Sequence, residues 1–436
     1  MPSRLNIDTI GTGETQMKRT LIKTLSTVAA IVLISSMVAG CSTARASGSD
    51  VTTTYNTTLA VDAGTDTSVT ASEAASDSAV ASATEIDASE LFSNRDLEQS
   101  ADLTLAIPLT LESGRDLTLN AEGVYLVSGS SENVTIVVDA AEDAKIQIVL
   151  DGVTITNDDS PAIYVKAADK VFVTTTASQN RLEVSGTYVA DGETNLDAVI
   201  FSKSDLTLNG TGTLDLVSAK GNGITSKDDL VITGGVYTIT AEADGLEAND
   251  SILISNGTLS IESGKDALHS ENADDASLGY IVIENGTLNI SATDDGIRGN
   301  SFVQIDGGTI DIATCREGIE ANNIIINNGQ ITINSQDDGI NATQKVSADV
   351  SIVVNGGTIS VKMASGDTDA FDSNGTITIN GGTITVEAQS AFDSNGTATL
   401  NGGTVTVNGQ VITQIVQTGP GGPGGFGGGG GGKIRR

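Results

Sequence analysis

Residues 292–299 read ATDDGIRG and residues 335–342 read SQDDGINA. Paired carboxylates next to a glycine can bind a hard cation or serve as general acid and base. The acids recur in register: Asp244, Asp266, Asp295, Glu317 and Asp338 each lie nine residues after a turn glycine. Asp294 and Asp337 stand beside this series, Glu247 and Glu320 follow it by three residues, and Asp369 continues it. Like charges stacked at strand spacing repel by roughly 1 kcal/mol per pair in water, and by more where solvent is excluded. Two readings follow: the side chains splay into solvent, or cations sit between the structural units. Carboxylate and carbonyl oxygens suit Ca2+, which makes Asp244, Glu247, Asp266, Asp294, Asp295, Glu317, Glu320, Asp337, Asp338 and Asp369 the candidate metal ligands.

The elements that position them are short β-runs. The phrases SNGTLSI, ENGTLNI, DGGTIDI, NGGTISV, NGGTITV and NGGTVTV repeat with their second turn residue at Gly257, Gly286, Gly308, Gly357, Gly382 and Gly403. A minimum period near 21 residues, made of strands and turns, predicts a solenoid. Alternation such as Ile310 and Ile312 against Thr309 and Asp311 predicts strands with one buried face. The leucine frame of leucine-rich repeats is missing. The fold class expected is therefore all-β: a single right-handed parallel β-helix of three short strands per coil, with positive φ at the glycine turns. IQIVLDGVTIT and KVFVTTTASQNRLEV predict longer, irregular coils at the N-terminal end. Asn249, Asn300, Asn322, Asn374 and Asn395 form a second series, expected to stack as hydrogen-bonded amides. Phe371 and Phe392 take the inward Ile position and are expected to stack in the core.

The basic residues are few. Arg298 is expected near Glu320, and Arg316 near Asp294 and Asp337, either neutralising the ladder or serving a substrate. The one histidine, His269, shares the coil position of Glu247 and Glu320 and is expected to face outward. A net charge of −34 excludes nucleic-acid binding, which needs a basic stripe.

The N-terminal region carries a targeting signal. Lys18, Arg19 and Lys23 form a basic stretch, Leu25 to Val38 an apolar one, and Val38-Ala39-Gly40-Cys41 fits a bacterial lipobox with Cys41 lipidated. Met17 is then the expected start, and Cys315 is left without a disulfide partner. The expected organisation is a signal and lipobox segment at 1–41, a disordered Ser/Thr/Ala-rich linker at 42–90, the β-helix at 91–419 and a Gly-rich tail at 420–436. This places the protein outside the cytoplasm, lipid-anchored to a bacterial membrane or cell surface.

NLDAVIFSKSDLTLNGTGTLDL, GNGITSKDDLVITGG, the DDGI coils and AFDSNGTITINGGTITV resemble the exported carbohydrate-binding β-helix proteins, a family similar in fold to pectate lyases. The resemblance covers about 100–415 and implies bound calcium and affinity for cellulose-type or acidic plant polysaccharides. Asn222 and Ser390 depart from it, standing where other coils carry an acid. The function expected is non-catalytic polysaccharide binding, through Asn, Thr and Asp and an exposed tyrosine such as Tyr280, with Arg298 and Arg316 as further substrate contacts. Calcium would rigidify the coils and bridge to uronate carboxylates that an acidic protein otherwise repels. One alternative is a calcium-dependent pectate-type lyase with Arg298, Arg316 or Lys265 as base. A galacturonan hydrolase is disfavoured, because its acidic pieces occur in the wrong order and its GHG and RIK elements are missing. A second alternative is a surface adhesin with no affinity for sugar.

Overall fold

The computed structural model describes residues 85–417 apart from Asp367. The lipobox with Cys41, most of the linker and the Gly-rich tail lie outside the described residues. The described chain is an all-β parallel solenoid of about 12 turns, with one short 3-10 helix at Ala88–Glu90. A middle coil shows the plan. Ser251–Ile254, Thr258–Ser263 and Leu268–Ser270 form its three strands, which contribute to a first, second and third wall. Each pairs in parallel with its counterpart one coil away, as Ile252 with Ile281, Ile261 with Ile290 and Leu268 with Ile297.

This register turns sequence alternation into columns. Leu259, Leu288, Ile310, Ile331, Ile359 and Ile384 line up inside the second wall and are all buried. Each such side chain contributes about 1.5–3 kcal/mol on burial, so the stack holds the fold without a disulfide. Cys315 is a free, buried thiol. Phe371 and Phe392 do stack in this core, their ring centroids 5.1 Å apart. The first described strand is Ile107–Thr110. IQIVLDGVTIT lies in the long strand Lys145–Asn157, as expected, and Gly123–Glu132 is long as well, but KVFVTTTASQNRLEV forms two regular six-residue strands, Lys170–Thr175 and Gln179–Val184. Gln410–Ile412 turns back antiparallel on Thr404–Val407.

The glycine turns have positive φ, as the spacing predicts. Gly308 has φ of +89°, and a side chain there would meet the Gly286 carbonyl at 2.9 Å. Coil backbones approach too closely at this corner for any β-carbon. The amide ladder lies beside these turns and not along the predicted series. Asn327, Asn355, Asn380 and Asn401 donate in sequence, Asn355 Nδ2 to Asn327 Oδ1 at 2.7 Å, then 2.8 and 2.9 Å, and Asn327 Nδ2 caps the row on Asp306 at 2.7 Å. Asn322, from the predicted series, instead accepts the backbone N–H groups of Lys345, Val346 and Ser347 in the insertion that follows it. An amide stacks on its neighbour only where no loop offers it backbone donors.

Residues just before 91 also pack on the solenoid. Ile86 exchanges two 2.8 Å bonds with the Gln304 side chain, and Ala88, Leu91 and Phe92 pack on Val231, Leu253 and Val282. Asp96, almost fully buried, accepts from Lys170 Nζ at 2.7 Å and Thr207 Oγ1 at 2.6 Å. Arg95 lies 4.4 Å over the Phe172 ring. This strap covers the outward side of the first wall, which is why residues there are buried on both faces. Tyr280 packs beneath it and is no exposed platform for a sugar; burial pushes its phenol well above the usual range. Residues distant in sequence supply the cover, so local patterning gives no sign of it.

Removing the carboxylate that pins the strap leaves Lys170 charged and desolvated. Asp96→Ala is expected to cost about 3 kcal/mol in denaturant unfolding and to open the chain near residue 96 to protease. Unchanged stability would mean that the strap only rests on the wall.

Candidate functional site

The acid series lies on the corner between the second and third walls. Its first job is to pin neighbouring coils together. Asn222 Oδ1 accepts the Asp244 backbone N–H at 2.9 Å, Asp244 Oδ1 that of Asp266 at 3.0 Å, and Asp266 Oδ1 that of Asp295 at 2.8 Å. Asp338 Oδ1 does the same for Asp369 at 3.0 Å. The glycine after Asp244, Asp295, Glu317 and Asp338 fits here for a steric reason, as a side chain at Gly296 would meet the Gly318 carbonyl at 2.7 Å, while Asp266 and Asp369 are followed by alanine. The acids do not splay into solvent, with Asp244 5%, Asp266 3%, Asp295 0% and Glu317 5% exposed. Asn222 performs the same backbone task without a charge, so hydrogen bonding alone does not explain why carboxylates fill the column.

The ladder breaks at one coil. The strand Thr309–Cys315 carries a bulge that shifts pairing from Ile290 with Ile312 to Ser291 with Thr314. The turn after it is one residue shorter, and Arg316 enters the corner there. Its guanidinium binds Asp294 and Glu317, and reaches Asp295 Oδ1 at 3.0 Å and Asp337 Oδ2 at 3.1 Å. Arg298 lies 3.3 Å from Glu320 and 3.6 Å from Asp266, and Lys345 3.0 Å from Glu320. Both arginines stand where the sequence predicts them, as internal counter-ions.

Three acids converge beside the break. Ligand oxygens of Asp295, Glu317 and Glu320, all buried, lie within 4.8 Å of one another. Asp295 Oδ2 is buried with no hydrogen-bond partner among the described residues. Asn341 donates to Glu317 Oε2 at 2.9 Å while its own Oδ1 has no partner among the described residues. Burial first, then the charges of Asp266, Glu317 and Glu320, push the Asp295 carboxyl from 3.8 to about 8, outweighing Arg316. Burial, then Asp372 and Asp337, raises Asp338 to about 7. An oxygen-only donor set with an unsatisfied, desolvated carboxylate suits a hard divalent cation.

The other predicted ligands divide. Asp266 with Asp294 and Asp295 forms a second close group, and Asp244 with Asp266 and His269 a third. Glu247 instead binds Asn222 and pairs with Lys227 at 3.2 Å. Asp369 bonds Ser390, and Asp337 belongs to Arg316. Sequence reasoning missed Asn341, although it shares the column of Glu320. His269 does occupy the position of Glu247 and Arg298, but its ring is only 19% exposed and leans into the acids.

The profile of the carbohydrate-binding domain-containing protein family matches residues 113–370. The chain belongs to that family. A family relative from Acetivibrio thermocellus, also described as a carbohydrate-binding domain-containing protein, is 34% identical over 129 residues, which span 29% of this chain and 45% of the relative. The chain thus matches less than half the length of that relative. A solved structure, the polysaccharide lyase-like protein from C. thermocellum as a gadolinium derivative, aligns with 70% of this chain and 97% of its own at 23% identity and a TM-score of 0.38.

The raised Asp295 carboxyl makes stability depend on pH. Folded, it holds its proton to about pH 8, whereas unfolded it loses it near 4. The unfolded chain then binds fewer protons across that window, so stability falls as pH rises from about 4 to about 8. Thermal melts in chelator are expected to show this slope, and Asp295→Asn to flatten it. An equal slope in the variant would place the strain on other groups.

Proposed function

We propose that this chain is a non-catalytic, calcium-binding surface lipoprotein that holds polysaccharide, acidic such as polygalacturonate or neutral and cellulose-type. The observation that carries the reading is the buried oxygen-only cluster of Asp295, Glu317 and Glu320, with Asp295 Oδ2 unpartnered, in a member of a carbohydrate-binding family. Asp295, Glu317 and Glu320 would hold the cation, with Asn341 beside them. Bound there, calcium supplies charge neutralisation and a tie between coils.

The state of the arginines supports binding over lyase chemistry. Abstraction of a proton needs a base that is neutral for part of the time. Arg316 is held by four carboxylates and Arg298 by three, and both guanidinium groups are pushed further toward the charged form despite burial. Lys265 lies exposed on the turn.

Sugar contacts fall to the second wall. Thr258, Thr287, Thr309, Gln330, Thr358, Thr383 and Thr404 stack there in one outward row, next to the Asn327–Asn401 amide ladder. Hydroxyl and amide groups repeating at about 4.8 Å present donors and acceptors along an extended glycan. The lipid anchor at Cys41 would hold this face outside the cell.

Calcium at about 100 times its Kd is expected to raise the melting temperature by about 3 °C or more. The gain should vanish in Asp295→Asn/Glu317→Gln. Polygalacturonate should bind the wild type only with calcium, and soluble β-glucan with or without it. No calcium response and no retention of either glycan would overturn the proposal.

A further inference from the structure

We infer that Asp244, Asp266 and His269 form a second cation site of a different class, one that takes a zinc-like transition metal rather than calcium. His269 is the single histidine of the chain, and it stands on the third wall in register between Glu247 and Arg298. Its Nδ1 lies 3.6 Å from Asp244 Oδ2 and 3.7 Å from Asp266 Oδ2. Both distances exceed a good hydrogen bond. They approach the ligand-to-ligand edge of about 3.4 Å expected around a tetrahedral metal with donors at about 2.1 Å.

The donors are held before any ion arrives. Asp244 and Asp266 are buried, and each spends its Oδ1 on the backbone N–H of the next coil, at 3.0 and 2.8 Å. That bond fixes each carboxylate and leaves Oδ2 facing the imidazole. On its other side, His269 Nε2 lies 3.3 Å from Glu271 Oε2. A proton on Nε2 shared with Glu271 leaves the Nδ1 lone pair toward the two aspartates, the carboxylate-to-histidine arrangement that orients metal-ligating imidazoles. Arg298, 3.6 Å from Asp266 Oδ2 and 3.9 Å from Glu271 Oε2, offsets part of the acidic charge.

The imidazole sets the selectivity. Calcium takes six to eight oxygens and gains little from nitrogen, whereas one nitrogen and two carboxylates with an open position match zinc. The inference does not rest on the calcium reading, since the Asp295, Glu317 and Glu320 cluster has no nitrogen donor.

Zinc chloride alone, titrated calorimetrically into the full chain in excess calcium, is expected to fill one site that calcium does not displace. Cobalt should give the intense visible absorption of a tetrahedral ion. His269→Gln should weaken zinc binding about tenfold or more and abolish the cobalt spectrum, and Glu271→Gln should weaken it about tenfold. The calcium-induced rise in melting temperature should be unchanged in His269→Gln, so failure of one site is distinguishable from failure of the other. Absence of zinc binding, or zinc binding that His269→Gln leaves intact, would overturn the inference and make His269 an imidazolium counter-ion between two aspartates.

Discussion

Direct stacking of equivalent positions, one strand separation apart, is the constraint on which everything else here depends. In a parallel solenoid, a residue type repeated at one position becomes a continuous column. Isoleucine at such a position makes a core, and asparagine beside a tight turn makes an amide ladder. A carboxylate makes a line of like charges, which the fold tolerates only if each charge is answered.

The acidic corner shows several answers on one column. Backbone N–H groups of the next coil take one oxygen of Asp244, Asp266 and Asp338. Arg316 answers Asp294, Glu317 and Asp337, entering where a strand bulge interrupts the ladder. Between these, Asp295 keeps an oxygen that no group among the described residues satisfies. That residual demand localises the candidate calcium centre to one step of the column, where the repeat alone offered ten candidate acids. The imidazole of His269, two coils away from Arg316, gives the same corner a second and chemically separate character.

The walls differ accordingly in the groups they present. The third-wall corner holds charge and bears on stability. The second wall presents a row of hydroxyls and amides, with the charged side chains Glu262, Asp311, Lys362 and Glu387 exposed on the same face. The middle of the first wall is covered by the strap of residues 85–99, which buries Val231 and Leu253 and covers part of Tyr280.

The residue pattern by itself determined the period, the glycine turns, the buried alternation, the Phe371–Phe392 stack and the placing of the acids and both arginines on a common corner. These follow from a repeat whose strands pair in one register, so sequence spacing converts directly into position. Only the tertiary structure decided how deep each acid lies, that Asp295, Glu317, Glu320 and Asn341 meet, and that the amide ladder runs through Asn327 and not Asn322. It also decided that residues 86–96 pack on the first wall and that Tyr280 is partly covered. Those outcomes turn on a one-residue shift at a bulge, on loops that compete for side-chain amides, and on bonds such as Ile86 to Gln304 that span 218 residues. None of these leaves a periodic trace in the chain.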